Sequence, residues 1–192
     1  MRAPLPLIAI AALVGLALPC AAQAASGHSS SATGAAMATV IRPLTVAKLS
    51  DLVFGNITMA FSQDGTVTVA ADKSGATYTG GARPLCGLSG CGSVAVAEFQ
   101  VTGEAERFYT ISVPTEVSAQ GISLEPSTRG QAVKAVTVDS LSVFAASTGS
   151  ATTGRLDSSG QDTFSVGGRL ILPLNSASAA YSATVPVIVT YI

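Results

Sequence analysis

Apolar residues recur at every second position along much of this chain. The clearest run is Tyr181, Ala183, Val185, Val187, Val189 and Tyr191, with polar or small residues between most of them. A strand turns alternate side chains to opposite faces, so these six are predicted to line one side of a single terminal strand. The chain ends one residue beyond Tyr191, and a strand so placed either lies within its own sheet or offers an edge to another chain. Pro186 has no N–H and interrupts one edge of it.

Other segments alternate in the same way. Gln63-Asp64-Gly65 signals a turn into Thr66–Val69, and Ser93–Thr102 follows a cysteine-containing loop. Gly103–Glu106 reads as a turn into Arg107–Val113, which Pro114 closes. Phe164, Val166, Gly168, Leu170, Leu172 and Leu174 form another alternating set. Ala38–Val46 reads as extended, Asp51–Ile57 as a short strand and Gly121–Leu124 as a weak one. Residues 72–81 are polar and glycine-containing, and 145–161 read as a long loop. In Val133–Phe144, Val136 and Val138 share a face, but Leu141 and Val143 fall out of step, which predicts a bulge or corner near Asp139. No helical periodicity of any length and no repeat of solenoid period is present. The pattern predicts an all-β, immunoglobulin-like or related antiparallel β-sandwich of about nine strands over residues 37–192.

The start of the chain differs. Arg2 precedes a nearly unbroken apolar run, Leu5–Leu18, and then Ala22-Gln-Ala24. This pattern predicts a secretory signal peptide over residues 1–24, cleaved before Ala25, because the run is shorter than the ~20 residues a bilayer span needs. Residues 25–36, rich in Ser, Gly and Ala, form a flexible leader. No later segment is long and apolar enough to span a membrane, so the expected location is periplasmic, outer-surface or extracellular.

Ten basic and eleven acidic side chains give a net charge of −1, and loss of Arg2 with the signal peptide makes it one unit more negative. There is no basic cluster, so nucleic acid is not an expected partner. Charged residues are only 11% of the chain, which weakens self-repulsion and permits close self-association. Cys86 and Cys91 survive cleavage and are predicted to pair in an oxidising compartment. A spacing of four intervening residues rather than two argues against a redox-active pair.

Catalytic constellations are scarce. The single histidine, His28, lies in the leader, and Gly87-Leu-Ser-Gly-Cys91 lacks the final glycine of a nucleophile elbow. Glu104 and Glu106 read as a solvated turn. Asp157-Ser-Ser-Gly-Gln-Asp162 supplies two carboxylates, fewer than a calcium site needs, and Asn56-Ile-Thr58 is a short glycosylation-like pattern that arises often by chance. Phe54 and Phe61 read as core residues. No catalytic residue, metal ligand or cofactor is predicted, and the chain is not expected to be an enzyme.

Ile41–Val46, Asp51–Ile57, Gly65–Val69, Phe99–Gly103, Tyr109–Pro114, Phe164–Gly168 and the closing Tyr181–Tyr191 occur in an order that resembles domain-of-unknown-function family 4402, a family of secreted bacterial β-domains. The resemblance covers residues 37–192 and carries no established catalytic residues. More distantly, the chain resembles chaperone–usher pilins: a signal peptide, a flexible N-terminal extension, an incomplete sandwich and an alternating C-terminal strand with a penultimate tyrosine, here Tyr191. That resemblance implies a structural or adhesive surface subunit, with copies of itself or a periplasmic chaperone as partners. It also implies a donor segment in which Ala36, Ala38 and Val40 share a face. The other expectation is a self-contained secreted β-sandwich that binds a protein or glycan.

Overall fold

The computed structural model describes residues 33–60, 62–87, 90–91 and 93–192. The predicted signal peptide, His28 and Phe61 lie outside them. Two compact units divide the chain, Met1–Thr39 and Val40–Ile192. The described part of the first, residues 33–39, is exposed and has no regular secondary structure.

Val40–Ile192 is all-β, and every strand pair is antiparallel. The described strands are β1 (Thr45–Ser50), β2 (Ile57–Met59), β3 (Gly65–Val69), β4 (Ala76–Gly80), β5 (Ala82–Pro84), β6 (Cys86–Gly87), β7 (Gly90–Cys91), β8 (Ala97–Thr102), β9 (Phe108–Ser112), β10 (Glu116–Ser123), β11 (Ala132–Ala145), β12 (Thr153–Arg155), β13 (Gln161–Leu172), β14 (Ala179–Ser182) and β15 (Ile188–Tyr191). An eight-stranded sheet runs β1-β8-β13-β11-β10-β14, with β3 also on β13 and β4 on β3. A three-stranded sheet runs β12-β9-β15, and β2-β5 and β6-β7 are separate pairs.

The long strand β13 organises both halves of the core. Its first half pairs with β8 and its second with β3, while β11 runs along the other side. The predicted alternation holds as far as Leu172, while Leu174 lies beyond β13 and is exposed: Phe164 and Val166 enter one buried cluster with Val101, Tyr109, Ile111, Val143 and Leu156. Leu170 and Leu172 enter a second with Ala119, Val136 and Val138. Phe99 stacks on its cross-strand neighbour Phe164 with ring centroids 5.1 Å apart. The opposite face of β13 is covered too, since Ser165 is buried and its hydroxyl donates to Ala71 O at 2.6 Å.

The predicted irregularity near Asp139 is present. The β11–β13 register shifts between Asp139 and Ser142, and Ser140 has φ +49°. Without that shift, Val136 and Val138 would share the core with the wrong parity of the residues that follow. With it, Val143 and Ala145 also turn inward.

Four readings of the sequence need correction. The first strand begins at Thr45 rather than Ala38, just beyond Pro43, which has no donor for a ladder. Within Asp51–Ile57, only the isolated bridge Val53–Ala95 and the start of β2 are extended and paired. The polar stretch 72–81 contains β4, whose Thr79 hydroxyl meets that of Thr66 at 2.6 Å across the ladder. The loop 145–161 contains β12. Short pairs of this kind carry too few side chains to show a period, which is why about nine strands were expected and fifteen are described.

Candidate functional site

The predicted terminal strand is two strands on two sheets. Tyr181 belongs to β14, which pairs with β10 in the large sheet, whereas Val189 and Tyr191 belong to β15, which pairs with β9 in the small one. Residues 183–187 carry the chain across without strand pairing, so the six residues do not form one continuous strand. Ala183 is exposed, while Tyr181, Val185, Val187, Val189 and Tyr191 are half-buried. The alternation therefore reports burial correctly over most of its length, although the hydrogen-bonding partner changes midway.

Each end of the segment is anchored by a tyrosine. Tyr181 packs on the second cluster, and its hydroxyl donates to Ala177 O at 3.0 Å. A Cβ on Gly121 would lie 2.5 Å from the Tyr181 ring, so glycine is what lets the ring lie flat on β10. At the other end, the Tyr191 hydroxyl donates to Arg42 O at 3.0 Å and accepts from Glu104 N at 2.6 Å. Those two bonds tie the C-terminal strand to the segment preceding β1 and to the β8–β9 turn.

The side on which β15 is open follows from the register. Ile192 N–H donates to Phe108 O at 3.3 Å. Bonded pairs recur at every second residue of an antiparallel ladder, so Thr190 with Thr110 and Ile188 with Ser112 are the bonded pairs. Val189 and Tyr191 therefore turn their N–H and C=O groups away from β9. The other neighbour of β9 confirms the parity, because Ile111 N donates to Thr152 O at 2.8 Å on the β12 side. Among the described residues β15 pairs with β9 alone.

The paired register ends at Ile188 with Ser112, and Pro186 and Pro114 lie beyond it, neither with an N–H to extend the ladder. Val189 and Tyr191 keep their donors on the open side. Leu44, Leu52, Val187, Val189 and Tyr191 are partly buried against the first cluster. Ile188, on the outer face, is 63% exposed.

The remaining candidates are distributed elsewhere. Ala36, Ala38 and Val40 are exposed and outside any strand, with Val40 at 94%. Cys86 and Cys91 are direct cross-strand partners in the β6–β7 hairpin. Phe54 packs on the second cluster. Glu104 accepts from Arg42 N and Glu106 pairs with Arg155, so the two carboxylates have separate structural partners. Asp157 Oδ1 accepts from Ser159 N, the Ser159 hydroxyl and Gln161 N, bonds that hold its carboxyl below the usual range. Asp162 instead accepts from the Tyr109 hydroxyl at 2.8 Å. Among the described residues no group of three His, Cys, Asp or Glu side chains is placed to hold a metal, and no helix is long and apolar enough to cross a membrane. Two surface clefts flank the Lys73–Glu98 ion pair, and no residue of β15 lines either.

Sequence reasoning missed the part-buried Tyr109–Asp162 bond and the partners of Tyr191. Both join residues more than fifty positions apart, and no local pattern encodes such a pair.

Residues 44–191 match a domain of unknown function, DUF4402. The chain belongs to this family. The DUF4402 match takes in every strand from β1 to β15, a slightly narrower span than the 37–192 expected from the motifs. No curated protein and no solved structure matches the chain.

Proposed function

We propose that this DUF4402 chain is a non-enzymatic, secreted structural or adhesive protein, a fimbria-like surface subunit assembled by strand addition. The observation that carries this reading is the one-sided pairing of β15 beside a half-buried apolar row. Val189 and Tyr191 present backbone groups toward a side that no described strand occupies. An added strand would bond those groups and cover Val187 and Val189. The pilin-like order of signal peptide, extension, sandwich and C-terminal tyrosine supports the same reading. Export through residues 1–24 and a Cys86–Cys91 disulfide belong to it, since an exported domain meets an oxidising compartment.

One observation favours a second reading, a self-contained β-sandwich that binds a protein or glycan. Val67, Val101, Tyr109 and Leu156 are fully buried with no strand supplied from outside.

Residues 25–192, secreted into a bacterial periplasm, discriminate the two. Unboiled SDS gels showing a ladder that collapses on boiling are expected for strand addition. A protease-resistant monomer as the sole product would replace the fibre reading with the self-contained one.

A further inference from the structure

The chain leaving β3 cannot continue along β13, because β8 takes the next place on that side. Val69 pairs with Gly168, and Ala97 already pairs with Val166. The chain climbs instead over the outer face of the large sheet. A Cβ on Gly167 would overlap Val69 O and lie 2.6 Å from Ala71 N, and the Ser165 hydroxyl holds Ala71 O at 2.6 Å. The β3–β4 turn is thereby fixed above the sheet. Its Lys73 reaches Glu98 of β8 as an ion pair, with a cleft of about 260 Å³ on one side and another of about 360 Å³ on the other.

The smaller cleft follows a cross-strand row of the outer face in which Phe144 pairs with Ser165 and Ser165 with Glu98. Two bulges supply its apolar walls. The register shift between Asp139 and Ser142 turns Val143 and Ala145 inward, and so turns Phe144 outward onto the cleft. The shift between Lys48 and Ser50 leaves Leu49 as the extra residue of β1, 55% exposed and on the same cleft. The outward residues of β8 and β13 between these walls, Glu98, Gln100, Thr163 and Ser165, are polar.

We infer that this cleft is a sugar-binding site that takes one neutral pyranose ring. The C–H face of the ring lies against Phe144 and Leu49, and its hydroxyls meet Lys73, Glu98, Asp72 and Thr163. This rests on the glycan-binding form of the second reading and gives it a place and a ligand class. The charges decide the class. An anion is repelled by the two carboxylates, and a cation meets the Lys73 ammonium held beside Glu98. A neutral ring uses both signs, because each hydroxyl donates to a carboxylate and accepts from the ammonium or from Thr163. A volume of about 260 Å³ lies just below that of the smaller drug-sized sites, which suits one ring rather than a chain.

The test is a saturation-transfer NMR titration of the full chain secreted into a periplasm. The probes are the methyl glycosides of glucose, galactose, mannose and N-acetylglucosamine, with N-acetylneuraminic acid as the anionic control. At least one neutral glycoside is expected to bind with a Kd of about 1 mM, and the acid more weakly than that glycoside. Lys73→Gly removes the ammonium at a position whose φ of +64° suits glycine, and the pair is exposed enough for the fold to survive its loss. It is expected to weaken binding about tenfold, the worth of a charged hydrogen bond. Leu49→Ser should weaken it about fivefold, and Ile188→Ser on the small sheet should leave it within about twofold. If a glycoside binds and either cleft variant keeps the parent affinity, this site falls while the glycan reading stands. If the acid binds more tightly than every neutral probe, the ligand class is overturned. If no glycoside binds at about 10 mM, the site and the glycan reading fall together, and the gel ladder still decides strand addition by itself.

Discussion

Gly103 lies directly beneath the hydroxyl of Tyr191. A Cβ at position 103 would overlap that oxygen and crowd Leu44 and Leu156 at 3.0 and 3.1 Å. The glycine thus makes room for the bonds by which Tyr191 reaches Glu104 N and Arg42 O.

Gly103→Ala is expected to destabilise the domain by about 1–3 kcal/mol, the usual cost of adding volume where nothing yields. Tyr191→Phe leaves the ring in place but removes both bonds, and about 1 kcal/mol is expected because the sites are only partly buried. Urea unfolding of the two variants and their double mutant measures each. Near-additive effects would show that the glycine does not act through the hydroxyl.

Tyr109, which is wholly buried, is also fitted against a glycine. Its ring overlaps the position a Cβ on Gly154 would take, directly across the β9–β12 ladder. Gly154→Ala is expected to cost more than Gly103→Ala, because the Tyr109 ring is wholly buried and cannot swing aside. A Gly154→Ala midpoint in urea equal to that of the parent would contradict this.

Alkaline stability follows from the same ring. Burial, then the Asp162 carboxylate that accepts its proton, push the Tyr109 hydroxyl above its ordinary value of about 10. The folded state therefore holds a proton that the unfolded chain releases above pH ~10. Stability contributed by this group is full below that pH and falls as pH rises through it, by at most about 1.4 kcal/mol per pH unit. Unfolding free energies from pH 9 to 11.5 should decline less steeply for Tyr109→Phe than for the parent.

The acid limb has a counterpart in Asp139. Paired hydrogen bonds from Arg169 at 2.8 and 2.7 Å hold its carboxyl below the usual range. A depressed folded value means that the contribution is present above the unfolded value near 4 and is lost as pH falls through the folded one. Asp139→Asn should flatten the loss of stability between pH 5 and pH 2, as followed by thermal melts. An unchanged acid slope would show that other carboxylates set it.

The hairpin β6–β7 pairs only with itself among the described residues. Cys86→Ser with Cys91→Ser is expected to cost about 2 kcal/mol, the chain-entropy value for so short a loop, and to leave the Tyr109 environment unchanged. A loss of near-ultraviolet dichroism on substitution would instead make the hairpin a support of the core.

The sequence alone determined the all-β class and the inward faces of β3, β11 and β13. Alternation is a local property, set by the two-residue repeat of an extended backbone. It also located the shift at Asp139, because a bulge changes the phase of the apolar pattern where it occurs. The sequence further exposed the terminal row from Tyr181 to Tyr191. It could not show that this row crosses from one sheet to the other. Side-chain parity continues at Val185 and Val187, whereas the hydrogen-bonding partner depends on strands more than fifty residues away. Only the tertiary structure decided which side of β15 is open. That side is set by the register with β9, which turns the donors of Val189 and Tyr191 outward. A proline seen in sequence removes one N–H, and only the pairing decides which neighbour loses it.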